Sequence, residues 1–449
     1  MHRLTALTLS CGFACGGDDV PTAADPSTSA STGGELSTDS VTSSTSDPST
    51  STSGEPESTT SGAPNRQPDC DPEWYSGERH NLDLWHRVFG PLNWSASYAD
   101  RPKLAVGPLA QVYAVGTAEL RDYTRDGWVH ALSSEGLSAW TDRYEGSGGW
   151  TDQLRDVVVD PAGNVVVVGV EQTNAIRWVD YVEYDYVFVV LSYGPDGTRR
   201  WRQTLPEPDA SFVDGGSAAI GPDGQISVAY TVTYESWPQL ALGELESSGT
   251  LLDQRVEDLP GYRGAYFPVA DIAPDGALYV AMRSNPTDSS GEHVVSARWD
   301  AGGQLDWLVG ESFERTRVVG LAADDNGIVV LADFGMGVNP SATNFPWLTR
   351  YDAAGLTQWA LTLDEGPSLV ARSLIVDCSH EIIALVADPT ESWLARVSPD
   401  GDLLEMSMIG VPAVEDHFDI AEDPAGNIVV AGESCDGLHC DLLVRKLAR

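Results

Sequence analysis

Short runs of Val, Ile, Leu and Ala recur from about residue 80 to the end of the chain, each bounded by polar residues with Gly or Pro. Runs of this length with little polar interruption predict strands buried on both faces, not amphipathic helices. The runs come in pairs around a tight turn. It reads Asp160-Pro-Ala-Gly163-Asn164 and returns in related form ending at Gly224, Gly276, Gly327 and Gly426. Each occurrence places Gly where a hairpin needs positive φ. A second turn ends in Gly136, Gly197, Gly249, Gly303, Gly355 and Gly401, spaced 46–61 residues apart. Four residues beyond it stands Trp140, Trp201, Trp307 or Trp359, while Asp253 and Glu405 hold that place in two units. A bulky residue at one repeat phase predicts packing: each indole fills the gap between neighbouring sheets.

Units begin near Lys103, Gln153, Gly216, Val269, Val319, Arg372 and Phe418, which makes seven. The sixth is irregular, with Cys378-Ser379-His380 in place of a glycine turn. The seventh supplies only three strands, and residues 82–89 carry Trp85 at the phase of the missing fourth. Pairing that N-terminal strand with the last unit would close a ring and leave no open sheet edge. The expected fold is therefore all-β: a single seven-bladed β-propeller of four-stranded blades over residues 70–449, its last blade closed by an N-terminal strand. The units, Asp-x-x-Gly-Asn-(Ile/Val)-x-Val-x-Gly followed by Gly-x-x-x-Trp, resemble the seven-bladed β-propeller repeat family over about residues 82–449. That resemblance implies an extracellular or envelope protein. Gly-x-x-x-Trp is also similar to the docking motif of quinoprotein propellers and of an outer-membrane assembly lipoprotein, but their eight blades and Ala-x-Asp element are missing. No cofactor is expected.

The N-terminus reads as a targeting segment. Residues 4–14 are a short apolar run after His2 and Arg3, ending in Gly12-Phe-Ala-Cys15. This resembles a bacterial lipoprotein signal, which implies a lipidated Cys15 after cleavage, with Cys11 as the alternative anchor. Residues 16–69 are dominated by Ser and Thr up to about residue 65. Such a composition predicts a disordered tether, and about 50 flexible residues reach roughly 40 Å. The expected location is the outer membrane or cell surface, with secretion or the periplasm as the alternative.

Charge narrows the partners. Lys and Arg number 26 against 67 acidic residues, a formal net charge of −41. That surface repels phosphate backbones, so nucleic acid is excluded and membrane contact is expected through the anchor alone. The cysteines of the head, Cys70, Cys378, Cys435 and Cys440, are even in number for an oxidising setting. Cys378 belongs to an A–B turn and Cys70 precedes the strand entering blade 7 from that face, whereas Cys435 and Cys440 flank a B–C loop. Cys70–Cys378 and Cys435–Cys440 are the expected pairs. Metal binding by Cys435, His439 and Cys440 lacks a fourth ligand, so no metal site is expected.

No nucleophile elbow, phosphate loop or zinc-protease helix occurs. What stands out is aromatic chemistry interleaved with carboxylates in the B–C and D–A loops: Trp178, Tyr181, Tyr184, Trp237 and Tyr266. Such loops suit glycan stacking or a protein interface. Arg155, Arg372 and His417, beside or within inner strands, are candidates at the channel mouth. The expectation is a monomeric, non-enzymatic envelope binding or scaffolding protein whose partner is an envelope protein or glycan. The alternative is a propeller glycosidase or lyase acting on polysaccharide.

Overall fold

The computed structural model describes residues 83–89, 102–119, 125–148, 151–177, 182–207, 210, 212–234, 237–288, 291–313, 315–335, 344–363, 369–388, 391–409, 415–435 and 440–448. The signal, the linker and the candidates Cys15, Cys70, Trp178 and Tyr181 lie outside them.

The apolar runs form seven four-stranded antiparallel sheets, and no helix occurs among the described residues. Read from inner strand A to outer strand D, blade 1 is Lys103–Val106, Val112–Glu119, Arg125–Leu132 and Ser138–Tyr144. Blade 2 is Asp152–Val159, Val165–Arg177, Val182–Tyr193 and Arg199–Leu205. Blade 3 is Phe212–Ile220, Ile226–Tyr234, Trp237–Leu245 and Leu251–Glu257. Blade 4 is Tyr262–Ile272, Leu278–Pro286, Glu292–Trp299 and Leu305–Phe313. Blade 5 is Thr316–Asp324, Gly327–Gly335, Asn344–Tyr351 and Thr357–Thr362; blade 6 is Val370–Val376, Ile382–Ala387, Ser392–Val397 and Leu403–Met408. Blade 7 takes A, B and C from Glu415–Glu422, Ile428–Cys435 and Cys440–Leu447, and D from Asp83–Phe89. The A strands contact one another in sequence, blade 7 meeting blade 1, so the ring is closed.

Local chemistry explains the turns. Asp160 Oδ1 accepts the backbone N–H of Ala162 at 2.9 Å and of Asn164 at 2.8 Å, and Asp423 repeats this with Ala425 and Asn427. Blade 6 makes the same turn without glycine. His380 adopts φ 62° and lies 3.0 Å from Asp324, while Asp377 Oδ1 accepts the N–H of Ser379 and Glu381.

The indoles pack as the repeat phase predicts. Trp140 Nε1 donates to Pro195 O, Trp201 to Ser247 O, Trp307 to Ala353 O and Trp359 to Pro399 O, all at 2.8–3.0 Å. Each acceptor sits two residues before the glycine of the next blade's C–D turn. That glycine supplies positive φ and has no Cβ to strike the indole: at Gly197 (φ 84°) a Cβ would lie 2.7 Å from Trp140. The closing strand follows the same rule. Asp83–Phe89 pairs antiparallel with Cys440–Leu447, and Trp85 Nε1 donates to Ser134 O at 2.9 Å above Gly136. The core lies between blades, where B strands such as 226–232 and 328–332 are wholly buried.

Candidate functional site

The A strands do not run straight. In blades 2 to 7 the pairing with strand B slips, between Leu154 and Asp156, Asp214 and Ser217, Arg263 and Val269 (twice), Val318 and Gly320, Ala371 and Ser373, and His417 and Asp419. A β-bulge leaves its extra residue outside the ladder and re-aims it. Here the extra residues include Arg155, Gly215, Gly216, Phe267, Pro268, Val319, Arg372 and Phe418. All of them line one cavity of about 440 Å³ at the channel mouth, together with Lys103, Val269, Arg317 and Val318. This mouth lies near the starts of the A strands, hence on the face of the D–A and B–C loops.

The cavity has apolar walls and a rim of four cations, three of them beside a carboxylate. Phe267 is exposed at φ 52°, a conformation costly for a bulky side chain and held here by the bulge. Arg372 stacks over the ring of Phe418, 4.9 Å from its centroid. Arg155 Nη2 donates to Asp214 Oδ1 at 2.9 Å, Arg317 Nη2 to Asp333 Oδ2 at 2.9 Å, and Lys103 Nζ lies 3.4 Å from Asp419 Oδ1. Blades 1, 2, 5 and 6 thus send cations to one opening in a chain of net charge −41.

The inner carboxylates bind blade to blade. Asp419 Oδ2 accepts the N–H of Leu104 at 2.8 Å, joining blade 7 to blade 1. Asp156 Oδ2 accepts Ser217 Oγ–H at 2.7 Å and the N–H of Ala218 at 3.0 Å. Asp271 Oδ2 accepts the N–H of Ala323 at 2.8 Å. Burial disfavours the charged form of Asp271, which is pushed up to about 6, and of Asp156 and Asp333, which are also raised. Asp156, Asp271 and Asp419 line the channel beneath the mouth, a space of about 470 Å³ walled by all seven A strands.

Of the residues singled out from sequence, Arg155 and Arg372 come together here. His417 precedes Phe418 on strand A of blade 7, and its side chain lies outside the described residues, as does that of Tyr184, opposite Ala175 in blade 2. Trp237 and Tyr266 do not line the cavity. Trp237 begins strand C of blade 3, two strands from the axis, with Arg263 over its ring at 5.2 Å. Tyr266 lies under Arg283 of the neighbouring strand, at 4.4 Å. Lys103, Arg317, Phe267 and Phe418 were not singled out as site residues. Only the Phe267-Pro268 step, an interruption in an inner strand, marked any of them in the sequence. Cys435 and Cys440 are direct register partners in blade 7, and Cys378 occupies the A–B turn of blade 6.

No family model matches the chain, and no curated protein matches it in sequence. Solved structures share its fold. The polysaccharide lyase Uly1 superposes with a TM-score of 0.53 at 10% identity, covering 85% of this chain and 95% of the lyase. The Pan2 WD40 domain of Neurospora crassa gives 0.52 at 10% identity, covering 81% and 94%. At this identity the likeness shows the propeller and nothing of its ligand.

Proposed function

We propose that the protein is an envelope binding module: a propeller carried on a Ser/Thr-rich tether from lipidated Cys15, taking an acidic glycan at its channel mouth. One observation carries the reading. Residues far apart in sequence, Lys103, Arg155, Arg317 and Arg372, meet around one apolar-walled cavity while the rest of the chain is strongly acidic. Clustered cations in a cleft focus the field and raise the local concentration of anions. The apolar walls favour a ligand with a ring or chain beside its charge. The inner carboxylates already hold blade to blade, which favours binding over acid–base catalysis. Lyase or glycosidase chemistry on the same glycan is the second reading, supported by the raised Asp271 in the channel wall.

The test uses the full-length protein and alginate or hyaluronan oligosaccharides, with neutral dextran as control. Titration calorimetry is expected to show binding of the uronates only, weakened at least about tenfold in Arg155→Gln/Arg372→Gln, as expected for losing charged hydrogen bonds. Equal affinity of the variant removes the channel-mouth site. Unsaturated or new reducing ends in the incubation replace the binding reading with the enzymatic one.

A further inference from the structure

Strand A of blade 4 starts well outside the channel. Its residues 262–268 cross the ends of three strands of blade 3 in turn, on the face of the D–A and B–C loops. Arg263 lies over Trp237 at the start of strand C, 5.2 Å from its ring centroid. Ala265 O accepts Thr231 Oγ1–H of strand B at 3.0 Å. Phe267 and Pro268 reach Gly215 of strand A, where a Cβ would lie 3.8 and 3.7 Å from them. The segment thus leads from the outer part of the blade to the channel mouth, which Phe267 and Pro268 line.

Its side chains do not alternate as those of a regular strand do. The pairing with strand B slips twice, and Gly264 and Phe267 adopt φ 83° and 52°. Bulges re-aim the residues beside them, and here Arg263 and Phe267 face solvent while Ala265 between them is buried. Phe267 is 46% exposed and Trp237 48%. The strand between Arg263 and Phe267 spans at most about 13 Å, so the three side chains form one short row. The neighbouring arginines differ. Arg283, over Tyr266, is paired to Glu292 at 3.5 Å. Arg263 is exposed, donates to Thr287 O at 3.3 Å, and has no carboxylate partner among the described residues. In a chain of net charge −41 it is a cation still open to an outside anion.

We propose that this row is an outer subsite continuous with the channel mouth, so that the acidic glycan is held as a chain laid outward over blade 3. The proposal rests on the reading of the mouth as a uronate site and adds that the site measures chain length. Trp237 and Arg263 together suit one uronate ring. The indole offers apolar surface to the ring's C–H face, and the guanidinium fork matches its carboxylate. Phe267 supplies an apolar step between this pair and the mouth. A polyuronate repeats ring and carboxylate along its length, so successive units meet both sets of cations. An acidic peptide brings the charge without the ring face.

Titration calorimetry on the full-length protein tests it, with disaccharides and hexasaccharides of alginate and hyaluronan as probes and poly-glutamate as the charge control. Wild type is expected to bind the hexasaccharide of at least one glycan about tenfold more tightly than its disaccharide. Trp237→Ala and Arg263→Gln are each expected to weaken the hexasaccharide at least about fivefold, for a lost stacking contact or charged hydrogen bond. Both are expected to keep wild-type affinity for the disaccharide, which occupies the mouth alone and reports that the variants are folded. Arg155→Gln/Arg372→Gln is expected to weaken both lengths. Equal affinity for the two lengths, hexasaccharide binding unmoved by Trp237→Ala or by Arg263→Gln, or poly-glutamate binding as tight as the hexasaccharide overturns the outer subsite and leaves the mouth standing. Failure of both lengths to bind wild type overturns the mouth reading and its extension together.

Discussion

Gly197 serves two needs at once, and a pair of substitutions separates them. Gly197 and Gly224 have nearly the same φ, 84° and 82°, but only Gly197 lies under an indole. Gly224→Ala is expected to cost about 1 kcal/mol for the backbone alone. Gly197→Ala adds a collision with Trp140 and is expected to cost roughly 2–4 kcal/mol by urea denaturation. Equal costs would show that the indole contact contributes nothing. Ala110 and His380 adopt φ 61° and 62° in the first turns of blades 1 and 6, so tertiary contacts can hold this conformation without glycine. Asp271 makes a prediction in pH. Its folded value, about 6, lies above the ordinary 3.8, so the native state binds the extra proton. Stability is therefore greatest below pH 4 as far as this group is concerned, and falls by about 2–3 kcal/mol as pH rises from 4 to 6. Asp271→Asn is expected to flatten denaturation midpoints across that window; an unchanged slope would place the titration elsewhere.

The element that decides the ring is a seven-residue strand. Asp83–Phe89 supplies strand D of blade 7, and its Trp85 occupies over Gly136 the seat that Trp140, Trp201, Trp307 and Trp359 take over the glycines of their next blades. Deleting residues 81–90 exposes the edge of Cys440–Leu447 and empties that seat. The deletant is expected to lose single-step cooperative melting and to associate at the bare edge in light scattering. A native melt would mean the ring closes without the strand. The inner strands teach a different lesson. Their bulges place Arg155, Val319, Arg372 and Phe418 at one level, and a bulge is a slip between two strands. No single strand's sequence displays it. Arg155 and Arg372 were legible as candidates because a charge beside an inner strand is conspicuous. Arg317, an equal charge on an inner strand, was passed over, and Phe418 was not legible because nothing local distinguishes it from residues that face a neighbouring sheet.

At the scale of the molecule, the pairing of distant cysteines is a prediction that a peptide map can read. Cys435 and Cys440 face each other across one register, and Cys378 sits in a turn on the opposite face of the ring. Non-reducing mapping is expected to return Cys435–Cys440 and Cys70–Cys378, the second adding about 6 kcal/mol by the chain-entropy model. A Cys70–Cys435 peptide would overturn both pairs. Blade number, strand order and the N-terminal closure were determined by sequence alone, because a repeat writes the same turn and packing residues into most of its seven units and a missing strand leaves a countable gap. The choice of which side chains share a space belonged to the tertiary structure. Lys103, Arg155, Arg317 and Arg372 converge only because ring closure brings four A strands to one axis. Asp253 likewise stands out only once Gly303, with its positive φ, stands across the junction without an indole over it. Periodicity encodes what each segment does with its own neighbours; convergence depends on the curvature that all seven segments produce together.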